Sequence, residues 1–281
     1  MNINTITPDE SKFLKRLQDI DKPPKSLRYI GTLPENYSLV VSIVGTRRPT
    51  AYGRTVTEQI TAALARQGVI IVSGMALGVD AIAHKTAMES GGHTVAIVPS
   101  GLDDPYPKTN QQLARLILTN HDALISEYEE GYRPRLYDFL RRNRIVSGLA
   151  DAVIVTEANL RSGTLSTVAH ALDQGKPVYA VPGPITSPLS AGCNSLIAQG
   201  ATPVTSVESL LVQLGLSDTR KKVHGDTPEE SVLLELLQSG INDGEALQEA
   251  TGLPVAQISQ TLTMLEIKGV VTALGGNKWR L

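Results

Sequence analysis

Hydrophobic positions along the chain gather into short, continuous, β-branched runs separated by amphipathic stretches. The runs are Leu39–Val44, Val69–Val72, Thr94–Val98, Ala123–Ile125, Ala152–Thr156 and Val178–Val181. Runs without polar alternation suit strands that are buried on both faces of a parallel sheet. Between them, Arg54–Gln67, Val79–Ser90, Thr109–Thr119, Tyr137–Ala150 and Thr164–Gln174 carry helical periodicity. Alternation of this kind means βαβ units, and right-handed crossovers then require a doubly wound, mostly parallel sheet. The pattern predicts an α/β domain over residues 36–216.

The two ends read differently. Residues 1–35 are polar apart from Phe13, Leu14 and Leu17, and Pro23, Pro24 and Gly31 follow, so a short N-terminal helix and an extended arm are expected. Residues 217–228 (SDTRKKVHGDTP) have no apolar periodicity and read as a linker. Residues 229–281 then give three helical patterns, Glu229–Gln238, Gly244–Thr251 and Pro254–Lys268. Gly252 ends the second and Pro254 opens the third, where proline is well tolerated. Gly269–Thr272 and Lys278–Leu281, joined through Gly275, Gly276 and Asn277, read as a β-hairpin wing. A small C-terminal winged helix-turn-helix domain follows.

Composition narrows the function classes. The chain has 281 residues, 41% apolar and 19% charged, with a net charge of −2, so a nucleic-acid site must be a local patch. Cys193 is the only cysteine, which excludes an intrachain disulfide and any multi-cysteine metal site. No apolar run reaches membrane-spanning length and the first residues lack a signal-peptide core, so a cytoplasmic protein is expected.

In doubly wound sheets ligands bind beyond the carboxyl ends of the strands, which directs the search to the loops there. The first carries Gly45, Thr46, Arg47, Arg48 and Gly53: glycine lets backbone approach a phosphate and arginine supplies fork-shaped donors. The stretch Tyr137–Thr164 adds a helix with Arg141, Arg142 and Arg144, an interior strand, and Ser162-Gly163-Thr164 opening the next helix, where free backbone N–H groups point outward. Tyr52, Tyr106, Tyr128, Tyr132 and Tyr137, five of eight tyrosines, lie in or beside such loops next to Phe139. Arginines plus exposed aromatics are what a single-strand groove needs. Each element has a plainer reading, with loop glycines serving turns, arginines forming a solvated face and Phe139 in the core. Neither G-x-G-x-x-G after the first strand nor G-x-x-x-x-G-K-[ST] occurs, and the five histidines lack metal-ligand spacing. A non-enzymatic protein without cofactor or metal is expected.

These loops resemble those of the DNA-processing DprA (Smf) family, from about Pro23 to Leu211. The ordered set is Val44-Gly45-Thr46-Arg47 with Tyr52-Gly53, Ser73–Asp80 with Ala83-His84, Gly101-Leu102-Asp103 with Tyr106-Pro107, and Ser126-Glu127-Tyr128. Phe139–Ile145, Glu157-Ala158 with Ser162-Gly163-Thr164, and Val181-Pro182-Gly183 complete it. The resemblance implies a Rossmann-like homodimer without catalysis or cofactor that binds single-stranded DNA, protects it during natural transformation and loads the RecA recombinase. The expected DNA-binding positions are Gly45, Thr46, Arg47, Arg48, Gly53, Phe139, Arg142, Asn143, Arg144, Ser162, Gly163 and Thr164. Leu77 departs from the pattern, standing where many members carry a basic residue, and the N-terminal helical domain of many members is reduced to a short arm. The C-terminal module departs as well. From Asp226 to Leu281 eight acidic residues face three basic ones, so this winged helix is expected to contact protein rather than DNA. The alternative is a non-catalytic nucleotide sensor related to the phosphoribohydrolases, whose P-G-G-x-G-T-x-x-E loop has its glutamate replaced here by Thr167. A scaffold that dimerises and recruits partners is a third reading.

Overall fold

The computed structural model describes residues 2–216, 225–238 and 241–280. Residues 217–224, most of the expected linker, lie outside the described residues. Contacts divide the chain into two units, Met1–Gly215 and Leu216–Leu281.

The first unit opens with two strands, β1 (Asn4–Ile6) and β2 (Leu27–Gly31). There follow β3 (Val40–Val44), α1 (Ala51–Arg66), β4 (Ile70–Ser73), α2 (Val79–Glu89), β5 (Thr94–Val98), α3 (Gln111–Thr119) and β6 (Ala123–Ser126). Next come α4 (Leu136–Gly148), β7 (Ala152–Val155), α5 (Thr164–Asp173) and β8 (Val178–Ala180), then α6 (Ala191–Ala198), β9 (Thr202–Pro203) and α7 (Val207–Gln213). All nine strands form one sheet in the order β1-β2-β6-β5-β4-β3-β7-β8-β9. Every pairing from β6 to β9 is parallel, and β1 and β2 add antiparallel at one edge. Every residue of β3, β4, β5, β6, β7 and β8 is buried, as their unbroken apolar runs require.

Sheet order decides where a site can form. From β3 the chain steps outward through β4, β5 and β6, then returns to place β7 on the other side of β3. The loops after β3 and β7 therefore diverge from adjacent strand ends, paired up to Val44 with Val155. That is the topological switch point, where doubly wound sheets hold ligands.

The N-terminal segment corrects the expectation of a helix and a free arm. Its helical content is two 3₁₀ turns, Pro8–Glu10 and Lys15–Leu17, and its strands belong to the main sheet. Phe13, Leu14 and Leu17 are fully buried in the core. Arg16 Nη1 donates to the Leu149 carbonyl (2.6 Å) and Asp151 Oδ1 (3.2 Å), tying the segment down. The physical reason is the sheet edge: β6 would otherwise present unpaired backbone groups, and β2 covers it. Residues 2–35 are thus part of the Rossmann-like unit.

The second unit holds α8 (Pro228–Gln238), α9 (Gly244–Thr251) and α10 (Val255–Ile267), then β10 (Thr272–Gly275) paired with β11 (Lys278–Arg280). Leu233, Leu234, Leu247, Ile258, Leu262 and Leu265 form its core. Asp243 Oδ1 caps α9 by accepting from the amides of Glu245 (3.0 Å) and Ala246 (3.4 Å), and Gly252, left-handed at φ 67°, ends it. The wing starts later than expected because the chain first turns at Gly269 and buries Val271.

Candidate nucleic-acid interface at the switch point

Gly45 continues β3 into a loop held close to its neighbours. A Cβ there would sit 2.6 Å from Val79 Cγ2 and 2.9 Å from the Glu157 carbonyl, so only glycine fits. The Thr46 amide donates to the Glu157 carbonyl (2.7 Å) and the Val79 amide to the Thr46 carbonyl (3.1 Å), locking this loop to the start of α2 and to the loop after β7. The α1 N-terminus that follows is already occupied. The buried Glu157 carboxylate accepts from the Thr50 amide (2.8 Å) and hydroxyl (2.7 Å), and a Cβ on Gly53 would run into it. Gly53 makes room for an internal anion and is closed to a phosphate.

The N-terminus of α5 is different. Thr164 Oγ1 donates to the Gly45 carbonyl (2.9 Å), the Ser162 hydroxyl accepts from the Thr164 amide (3.2 Å), and Asn143 Nδ2 reaches the Gly163 carbonyl (3.4 Å). A Cβ on Gly163 would meet no atom of the protein within 4 Å, and its φ of −58° suits any residue. Neither packing nor conformation accounts for the glycine, whereas close approach of a ligand would.

Between these loops and α4 lies a cleft of about 430 Å³. Eight of the twelve expected positions line it: Gly45, Arg47, Phe139, Arg142, Asn143, Ser162, Gly163 and Thr164. Arg47 is exposed and its guanidinium lies 5.4 Å from the centre of the Phe139 ring, which also packs edge-to-face with Tyr106 (5.4 Å between centroids). An exposed arginine held over an aromatic face offers a phosphate contact beside a stacking surface. Thr46, Arg48, Gly53 and Arg144 do not line the cleft.

The arginines of α4 are mostly engaged by the protein. Arg142 is buried, and its Nη1 donates to the carbonyls of Gly74 (2.6 Å) and Ile97. Asp80 accepts from the amides of Gly74 (3.1 Å) and Ala76 (3.3 Å), so cation and carboxylate together shape the loop after β4. Burial lowers the Arg142 guanidinium to about 10 while Asp80 opposes the shift, and burial raises the Asp80 carboxyl while Arg142 opposes it. His84, one turn along α2, hydrogen-bonds Thr94 Oγ1 through Nδ1 (2.6 Å), and burial holds it neutral down to about 3. Arg144 is buried on another side of α4, bound to Glu127 (2.6 Å) and the Lys22 carbonyl (3.0 Å), and does not line this cleft.

The tyrosines divide in the same way. Tyr128 and Tyr132 stack at 4.4 Å and donate to Asp138 (3.0 and 2.8 Å), which also accepts from the Arg135 amide (2.7 Å) and so pins the start of α4. Tyr52 donates to the Pro182 carbonyl (2.7 Å). Tyr106 and Tyr137 keep exposed rings, with no hydroxyl partner among the described residues. Sequence reasoning gave Glu157 and Asp80 no place in the site. The signal for Glu157 was an acid directly after a strand at the switch point, beside a cation-rich loop, which demands a partner.

These features define a Rossmann-like protein with a cationic, aromatic cleft at its switch point and a separate winged-helix unit. Among the described residues no helix is long and apolar enough to cross a membrane. Residues 4–215 match the family model for DNA recombination-mediator protein A, and residues 217–277 match that for the DprA winged helix domain. The chain belongs to the DprA (Smf) family of DNA-processing proteins. It is 35% identical over 291 residues to protein Smf of Escherichia coli, covering all of this chain and 78% of that one. A DprA relative from Mycobacterium tuberculosis is 38% identical over 252 residues, 85% of this chain, which spans 64% of that protein's length. The solved structure of DNA processing protein A from Helicobacter pylori, described with its single-stranded DNA binding mode, superposes with a TM-score of 0.68 at 33% identity, covering 76% of this chain and 96% of that one.

Proposed function

We propose that the switch-point cleft binds single-stranded DNA, and that the protein acts without catalysis as a homodimer in the cytoplasm, protecting incoming strands in natural transformation and helping to load RecA. The observation that carries the binding reading is the open Gly163 at the start of α5, facing the same cleft as Arg47 over Phe139. The amides of Thr164, Leu165 and Ser166 are bonded to Ser162 and Gly163, so the Gly163 amide and the exposed Arg47 guanidinium are the groups that hold phosphates, and the aromatic face takes a base whatever its identity. The named binding mode of the Helicobacter pylori relative supports the choice of ligand. Homodimerisation, transformation and RecA loading rest on the family resemblance.

Thr167 lines the cleft where the related hydrolases carry glutamate. A hydroxyl offers no general base, which favours binding over turnover. The second unit contacts protein in this reading, since the one cation of α10's C-terminal end, Lys268, is bound by Asp226 and Glu230, both at 2.7 Å.

The test is fluorescence anisotropy of a labelled oligonucleotide across a salt series. Wild type binds single strands in preference to duplex with an affinity that falls steeply with salt. Arg47→Ala weakens binding about tenfold and flattens the salt slope by about one, with thermal stability retained because Arg47 is exposed. Salt-insensitive or absent binding, together with a thermal shift on adding a mononucleotide, would move the reading to a nucleotide sensor.

A further inference from the structure

Helix α4 is flanked by two clefts, and the switch-point cleft is only one of them. The other, of about 740 Å³, is lined by Lys22 and Lys25 from the N-terminal segment, by Tyr137, Leu140, Arg141 and Arg144 of α4, and by Asp21, Glu127 and His170. Leu140 lines both clefts, so they meet across the first turns of the helix. That ridge is apolar and exposed: Leu136 is 85% accessible and Tyr137 69%. A folded domain rarely leaves such side chains together at a helix end without a partner to cover them.

Charge says which partner. Besides the buried Arg144 and its partner Glu127, three Lys and Arg side chains face one carboxylate, Asp21, in the second cleft, on a chain whose net charge is −2. Glu127 is already taken by Arg144 (2.6 Å) and Arg141 (3.3 Å). Lys22 is 3.8 Å from Asp21, with both side chains at least 78% exposed, a pairing that water screens. Lys25 is exposed and makes no ion pair among the described residues. Exposed lysines beside an exposed tyrosine match a backbone-tracking groove with a stacking platform, whereas a protein partner would call for a drier, less cationic face.

We propose that the second cleft is a further single-strand subsite. A strand leaving the switch-point cleft crosses α4 over Leu136 and Leu140, stacks a base on Tyr137, and lays its next phosphates against Lys22, Lys25 and Arg141. This rests on the binding reading above and adds a direction to it: the strand runs toward the N-terminal segment, and longer ligands gain affinity from contacts that short ones do not reach.

The experiment compares oligothymidylates of about 4 and about 16 nucleotides, the span of single-strand site sizes, binding to wild type and to Tyr137→Ala/Lys25→Ala. Both residues are exposed, so the variant folds, and circular dichroism checks it. The short oligomer is expected to bind both proteins equally, while the long one binds the variant about tenfold more weakly with a salt slope shallower by about one. Equal affinity of the variant and wild type for the long oligomer overturns the subsite, as does an equal loss for both lengths. If wild type binds neither length, the parent reading falls first, a result distinct from either.

Discussion

Two helices start at the same edge of the sheet, and they meet opposite fates. The N-terminus of α1 is filled by the molecule's own Glu157 carboxylate, which accepts from Thr50 and lies against Gly53. The N-terminus of α5 has no such anion, and Gly163 faces open space. Both were prefaced by glycine and small hydroxyl residues, so local sequence does not separate them. What separates them is an acid delivered by the adjacent strand, β7. A helix N-terminus is a ready anion site, but the protein itself can be the anion. The same division, between groups spent on the fold and groups left for a ligand, sorts the arginines: Arg142 and Arg144 belong to the first class and Arg47 to the second.

The largest effect that could break this division is at Arg142. If it is a structural cation, Arg142→Ala removes the charge that opposes the burial of Asp80 and leaves the Gly74 and Ile97 carbonyls without its guanidinium donor. A buried polar group left unsatisfied costs about 1–3 kcal/mol. Urea denaturation should show a loss of that size. A variant as stable as wild type but weak in DNA binding would return Arg142 to the ligand-contacting class.

A pair of glycine substitutions sharpens the contrast directly. Gly53→Ala pushes a methyl group into the Glu157 carboxylate and should destabilise the protein by about 1–3 kcal/mol, the usual range for overpacking. Gly163→Ala meets nothing and should leave stability within about 0.5 kcal/mol, yet weaken single-strand binding severalfold by standing where backbone and phosphate approach. The informative outcome is the crossing of the two effects. If Gly163→Ala proves neutral in both assays, the α5 N-terminus is not part of the interface.

The strands of the parallel sheet were legible because burial on both faces leaves continuous β-branched runs, and the loops at the switch point followed from their order. Strands β1 and β2 were not legible: β1, the edge strand, has three residues and none buried, and β2 beside it buries only Leu27 and Ile30 of its five. Helices α6 and α7, short and flanked by loops rich in small residues, also gave no periodic signal. Within the site, residue types and loops could be read, whereas the fate of each charge could not. The partners that settle it lie far off in sequence: Asp80 and Gly74 for Arg142, Glu127 and Lys22 for Arg144, and Thr50 for Glu157. An arginine on a helix reads the same whether its head ends in solvent or on a buried carboxylate.

The smallest expected effect concerns the winged-helix unit, where the comparison reappears as one cation against another. Among the described residues Arg47 has no carboxylate partner, while Lys268 is held by Asp226 and Glu230, and this pairing lowers both acids' pKa values and raises that of Lys268. A lysine neutralised twice gains little from a phosphate, because it must give up its own partners first. Near it α10 exposes Met264 and Ile267, an apolar pair unlike the aromatic cleft that holds Arg47. In the full chain, Lys268→Ala should therefore change single-strand affinity less than about twofold and leave the salt slope unaltered, against about tenfold for Arg47→Ala. A loss at Lys268 comparable to that at Arg47 would mean that DNA displaces Asp226 and Glu230, and the winged helix would then belong to the nucleic-acid interface.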